Sequence, residues 1–203
     1  MNAPHPLLHA AVEPRRRVDH ALGEWGGRGD AWIFGYASLI WRPEFEAVED
    51  RAATVYGWHR SLAMRSRINR GTPECPGLVF ALVAGGSCRG RVYRVEQSRV
   101  EAELRRLWCR EMPTGVYDPK WLVCRTPQGT VRALAFTLSR RSASYTGAVP
   151  DPQMLEILRT ANGRYGTTLA YLVETATSLR NCGIRDRDVE RLLALARRHA
   201  LTT

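Results

Sequence analysis

Midway along the chain, apolar side chains return at helical spacing. Val100, Leu104, Leu107 and Trp108 fall at i, i+4, i+7 and i+8, and Glu111 continues that face at i+11. The spacing predicts a helix, opened by Ser98 and Glu101 as a capping box and closed by Met112-Pro113-Thr114-Gly115. Short apolar and aromatic runs predict strands at Ala31 to Tyr36, Ala52 to Tyr56, Leu62 to Arg65, Gly77 to Leu82, Gly90 to Val95, Trp121 to Arg125 and Val131 to Leu138. From Asp151 the pattern turns helical. Met154, Leu155 and Leu158 share one face, Leu169, Leu172, Val173, Ala176 and Leu179 a second, and Val189, Leu192, Leu193 and Ala196 a third behind Asp186 as its cap. The class is α+β: a strand-built core with flanking helices and a helical C-terminal part, its Met and Leu stripes read as core.

Residues 1–29 lack this patterning and read as a mobile N-terminal arm, with Pro14 and Gly26-Gly27-Arg28-Gly29 marking the passage to order. Residues 30–203 read as a single domain, because no low-complexity linker divides them. No run of eighteen apolar residues exists to span a bilayer, and His5-Pro6-Leu7-Leu8-His9-Ala10-Ala11-Val12 is too short, and lacks the basic lead, of a secretory signal. The expected location is the cytoplasm.

Composition narrows the chemistry. The five cysteines, Cys75, Cys88, Cys109, Cys124 and Cys182, are odd in number with no C-x-x-C pair, and read as reduced core thiols. Of five histidines only His59 lies inside the patterned region, so a histidine triad or a zinc site has almost nothing to draw on. Acid–base work falls to carboxylates and tyrosines, and no metal is expected. The net charge of +10 comes almost wholly from arginine, since Lys120 is the lone lysine. These arginines are scattered rather than gathered on one element, which argues against a nucleic-acid partner and equally fits attraction of a small acidic substrate.

Glu111 is the residue whose placement carries chemistry. A carboxylate on an apolar face is drawn partly out of water, which raises its pKa toward the range of a general base working near neutral pH. Its place where helix meets loop joins a rigid support to an open edge. The plainer alternative is a helix-end carboxylate paired with Arg110 or Arg106.

The segment from Trp32 to Phe45, with Gly35-Tyr36-Ala37-Ser38-Leu39 at its centre, resembles the opening V-F-G-Y-G-S-L-x-W-K-P-x-F signature of the ChaC family, the glutathione-specific γ-glutamylcyclotransferases. Further resemblances follow in order at Gly57 to Ser61, Arg70 to Leu78, Gly90 to Arg94 and Leu107 to Tyr117, closest to the bacterial branch. The resemblance implies a mixed β-barrel of cyclotransferase type and cleavage of glutathione to 5-oxoproline and cysteinylglycine. It also implies Glu111 as acid and base, with the γ-glutamyl group held by Ile33, Phe34, Gly35, Tyr36, Ala37, Ser38 and Leu39. Tyr117 and Tyr145 are further binding candidates, with Arg65 and Arg70 behind them. No cofactor is needed, because the glutamyl α-amine attacks its own γ-carbonyl. The protein is expected to act as a monomer or weak dimer, with no membrane or nucleic-acid partner. Alternatives are the same chemistry on other γ-glutamyl peptides or amines, and a non-catalytic regulator keeping the fold. Two departures stand out: Ala37 replaces the family's glycine, where a Cβ resists positive φ, and Thr114-Gly115-Val116-Tyr117 replaces the G-G-Y of many eukaryotic members.

Overall fold

Because side chains alternate along a strand, neighbouring residues of each strand feed two different cores. In β1 (Ala31–Gly35), Ile33 joins one apolar cluster and Phe34 the other. In β3 (Gly77–Val95), Phe80 and Leu82 alternate with Ala81 and Val83, and in β5 (Gly129–Leu138), Ala133 and Ala135 alternate with Leu134 and Phe136. With β2 (Glu49–Ser66) and β4 (Asp118–Thr126) these strands close a five-stranded barrel in the order β1-β3-β2-β4-β5. Closure comes at β1, which pairs antiparallel with β3 and parallel with β5. The computed structural model describes residues 17–202.

Helices cover both clusters. On one side lie α1 (residues 17–25) and α3 (Val100–Glu111), which bury Val18, Ala21, Val100, Leu104, Leu107 and Trp108. On the other lie α4 (Asp151–Thr160), α5 (Thr168–Asn181) and α6 (Arg187–Arg198). A one-turn helix, α2 (Ser38–Trp41), follows β1, and a small hairpin of β6 (Asn162–Gly163) and β7 (Gly166–Thr167) precedes α5. Among the described residues no helix is long and apolar enough to cross a membrane.

Several expectations are corrected. Part of the expected arm is ordered: residues 17–25 are helical, and Val18, Ala21, Leu22 and Trp25 recur at helical spacing and pack on the barrel. Residues 1–16, with Pro14, lie outside the described residues. Four expected strands prove to be two long ones. Hydrogen bonding runs through β2 and β3, whose register shifts where Gly57 (φ 80°) faces Gly85-Gly86 (φ 108° and 72°) and again between Ser61 and Met64. The capping box does not form. A 3₁₀ turn at Gln97–Arg99 leads into α3 instead, with the Asp30 carboxylate accepting from the Gln97 amide at 3.0 Å. Of the five thiols all are unpaired, but only Cys88 and Cys124 are core; Cys109 is exposed on the outer face of α3.

Asp186 caps α6 by accepting from the amides of Asp188 and Val189. The same carboxylate pairs with Arg60, whose side chain is fully buried and also donates to the carbonyls of Tyr36 and Arg89. Substituting Asp186→Ala removes a cap and strands a buried positive charge, so stability falls by about 3 kcal/mol. Asp186→Asn keeps the cap geometry and loses roughly half as much. Chemical denaturation reads both, and a loss from the alanine change below about 1 kcal/mol contradicts this role for the pair.

Candidate active site

Six parts of the fold converge on a narrow cleft at one end of the barrel. It is lined by Tyr36, Ala37, Ser38 and Leu39 after β1, Phe80 of β3, Glu111 at the end of α3, Tyr117 just before β4, Phe136 of β5 and Tyr171 of α5. Glu111 is there because α3 buries the stripe Val100, Leu104, Leu107, Trp108 against the barrel, and one further turn carries that face to the rim. Its side chain is 14% exposed, and its Oε1 lies 3.0 Å from the Nε of Arg110. The apolar-face reading and the paired-carboxylate reading thus describe the same side chain. The pairing runs to Arg110, whereas Arg106 faces Glu103. Burial pushes the Glu111 carboxyl above its ordinary pKa, against the pull of Arg110 and with help from Glu44.

Three phenols face this carboxylate. Burial pushes the pKa of Tyr36, Tyr117 and Tyr171 well above the phenol range, and the negative charge of Glu111 adds to each. All three are neutral donors at physiological pH. Tyr36 donates to the Phe136 carbonyl at 2.9 Å, which leaves its oxygen to accept from Tyr117. Tyr171 accepts from the Phe80 amide at 3.3 Å, and its own proton has no acceptor among the described residues. An anion entering the cleft therefore meets one uncommitted phenolic donor.

The structure brings Glu111, Tyr36, Ala37, Ser38, Leu39 and Tyr117 together and leaves out Ile33, Phe34, Gly35 and Tyr145. Ile33 and Phe34 are wholly buried in opposite clusters, and a Cβ on Gly35 would meet Tyr93 and Leu39. Tyr145 forms a bridge with Met64 and packs on the cluster beside α3. Ala37 has φ −145°, so the position makes no demand for the left-handed backbone that glycine favours. Arg65 is exposed, while Arg70 is held by the Tyr165 carbonyl with its guanidinium 5.0 Å over the Tyr171 ring. His59 binds the Gly85 carbonyl at 2.8 Å, away from the cleft. Phe80, Phe136 and Tyr171 went unnamed by the sequence. A tyrosine inside the apolar stripe of α5 was the one available signal, its polar tip needing a partner once buried.

A carboxyl whose folded pKa is raised favours folding at acid pH and opposes it once pH rises through the folded value. Glu111→Gln removes that opposition, so the variant is more stable than the parent at neutral pH, by about 1.4 kcal/mol for each unit by which burial raises the carboxyl. The difference disappears below about pH 4, where the unfolded carboxyl is also protonated. Denaturant midpoints at pH 7.5 and pH 4 check this, and a variant less stable than the parent at neutral pH contradicts it.

The sequence profile of the family described as ChaC-like protein matches residues 31–199. The glutathione-specific gamma-glutamylcyclotransferase of Escherichia coli strain K12 is 36% identical over 188 residues, covering 92% of this chain and 81% of that protein. Human glutathione-specific gamma-glutamylcyclotransferase 1 is 31% identical over 169 residues, covering 81% and 76%. The crystal structure of a yeast gamma-glutamyl cyclotransferase specific to glutathione superimposes with a TM-score of 0.76 at 17% identity, covering 84% of this chain and 97% of that one, a likeness of fold. A profile match across the barrel and its helices, joined to relatives this similar over most of their length, places the chain in the ChaC family.

Proposed function

We propose that the protein is a glutathione-specific γ-glutamylcyclotransferase that releases 5-oxoproline and cysteinylglycine. The observation that carries the reading is the cleft in which one largely buried carboxylate of raised pKa faces three neutral phenols and the loop after β1. The names of the Escherichia coli and human relatives support the substrate. In this reading the Glu111 carboxylate takes a proton from the glutamyl α-ammonium, and the freed amine attacks the γ-carbonyl to close a five-membered ring. Glu111, now the carboxylic acid, gives that proton to the cysteinyl nitrogen as the amide bond breaks, and the ring nitrogen sheds its second proton, which the released amine takes up to depart as an ammonium. One residue serves both steps, and a raised pKa suits it to each. Backbone amides from Ala37 to Leu39 face the developing oxyanion. The spare proton of Tyr171 goes to the glutamyl carboxylate.

The surface arginines fit a small substrate better than a nucleic acid, because carboxylates already partner many of them: Arg91 with Asp50, Arg94 with Asp30 and Glu49, Arg105 with Asp19 and Glu101, Arg180 with Glu190. Five unpaired cysteines and a thiol substrate both suit the reducing cytoplasm.

Incubation of the purified protein with glutathione yields 5-oxoproline and cysteinylglycine in equal amounts, and N-acetylated glutathione, lacking the nucleophile, yields neither. Glu111→Gln lowers kcat roughly 1000-fold with the fold retained. Turnover of γ-glutamyl dipeptides in preference to glutathione would move the substrate assignment. An active Glu111→Gln variant would overturn the acid–base assignment.

A further inference from the structure

Glu44 is one of two described non-glycine residues with left-handed backbone (φ 55°), a conformation that a side chain with a Cβ adopts at a cost. What holds it there is a pair of charge contacts. Its carboxylate meets Arg42 at 2.5 Å and, through Oε2, the Nη1 of Arg110 at 3.2 Å. The same Arg110 guanidinium reaches Glu111 through Nε, Ser38 through Nη2 at 3.3 Å, and the carbonyls of Arg42 and Pro43 through Nη1. One guanidinium thus stands between two carboxylates, one lining the cleft and the other 36% exposed at its outer edge.

Such an arrangement has a definite electrostatic sense. Arg110 alone beside Glu111 would stabilise the carboxylate and weaken it as a base. Glu44 draws on the same positive charge and adds a negative one, which offsets that weakening. Every other residue facing Glu111 is uncharged at neutral pH: Tyr36 from the loop after β1, Tyr117 before β4 and Tyr171 from α5 are neutral phenols, and Phe80 and Phe136 carry no charge. We infer that Glu44 and Arg110 are positioning residues that set how tightly Glu111 holds its proton, with Arg110 loosening the hold and Glu44 restoring it. The inference rests on Glu111 as the acid–base residue and adds two side chains that touch no substrate. The pull of Arg110 and the opposing effect of Glu44 on the Glu111 carboxyl have the required signs.

The test is a direct titration of Glu111 by carbon-13 NMR of protein labelled at the glutamate carboxyl, its resonance identified by loss in Glu111→Gln. Glu44→Gln moves the Glu111 midpoint down by roughly half a pH unit, and Arg110→Gln moves it up by roughly one. The double variant Glu44→Gln/Arg110→Gln leaves it roughly half a pH unit above the parent, between the parent and the Arg110→Gln variant, since the two opposing charges are both gone. The acid limb of kcat/KM for glutathione follows the same three displacements. A merely structural role lowers kcat in each variant and leaves the midpoints in place, and that result overturns the inference. Because Arg110 also holds two loop carbonyls, its variant is the one most exposed to misfolding, and the Glu44→Gln midpoint decides alone: downward supports the inference, unmoved or upward overturns it. Displaced midpoints in a protein that makes no 5-oxoproline support the charge coupling and overturn the assigned reaction instead.

Discussion

Glu111 holds its carboxylate where water is scarce, and much of the surrounding structure bears on that one placement. A carboxylate drawn out of water is costly unless it is neutralised by proton or partner, and full neutralisation by a cation would leave a weak base. The fold takes a middle course. Trp108, Phe136 and Tyr117 meet edge to face and exclude water from one side. A single guanidinium approaches on the other side with its charge already shared. The phenols supply polarity without charge, and their own protons are arranged in a fixed order from Tyr117 through Tyr36 to the Phe136 carbonyl.

Distant segments keep this cleft in register. Arg60 crosses from β2 to grip the Tyr36 carbonyl and is itself held by Asp186 at the head of α6, so the C-terminal helix is tied to the loop after β1. Since carbonyl and amide point opposite ways across a trans peptide, fixing the Tyr36 oxygen also fixes the direction of the Ala37 amide. From the other flank, Arg17 at the start of α1 donates to the carbonyls of Gly115 and Tyr117, 3.3 and 2.9 Å away, and so secures the turn between Glu111 and Tyr117. The rigid supports are local helices and strands, but the connections between them span the chain.

The parts legible in the sequence were those set by local rules. The face of α3 followed from 3.6-residue periodicity, and the Asp186 cap from its place before an apolar stripe. Barrel closure and the merging of strands were not local. Gly57 and Gly85-Gly86 interrupt the apolar pattern without interrupting the ladder, so one bent strand reads as two. Of the candidate site, a contiguous run from Ile33 to Leu39 could not all face one cleft, because alternation sends Ile33 and Phe34 to opposite cores before the chain leaves the sheet at Tyr36. Tyr171 escaped because its stripe resembled plain core, and only tertiary convergence turns that phenol toward Glu111. The charge shared among Glu44, Arg110 and Glu111 likewise arises from a loop folded back across a helix end, which no sequence spacing announces.

The most direct test of the proton-carrier account is a crystal structure of the Glu111→Gln variant with glutathione bound. The account predicts the glutamyl α-amine within about 3 Å of the substituted side chain, with the γ-carbonyl oxygen turned toward the amides of Ala37 to Leu39. A glutamyl unit seated elsewhere, or an amine facing solvent with Tyr171 unoccupied, contradicts it.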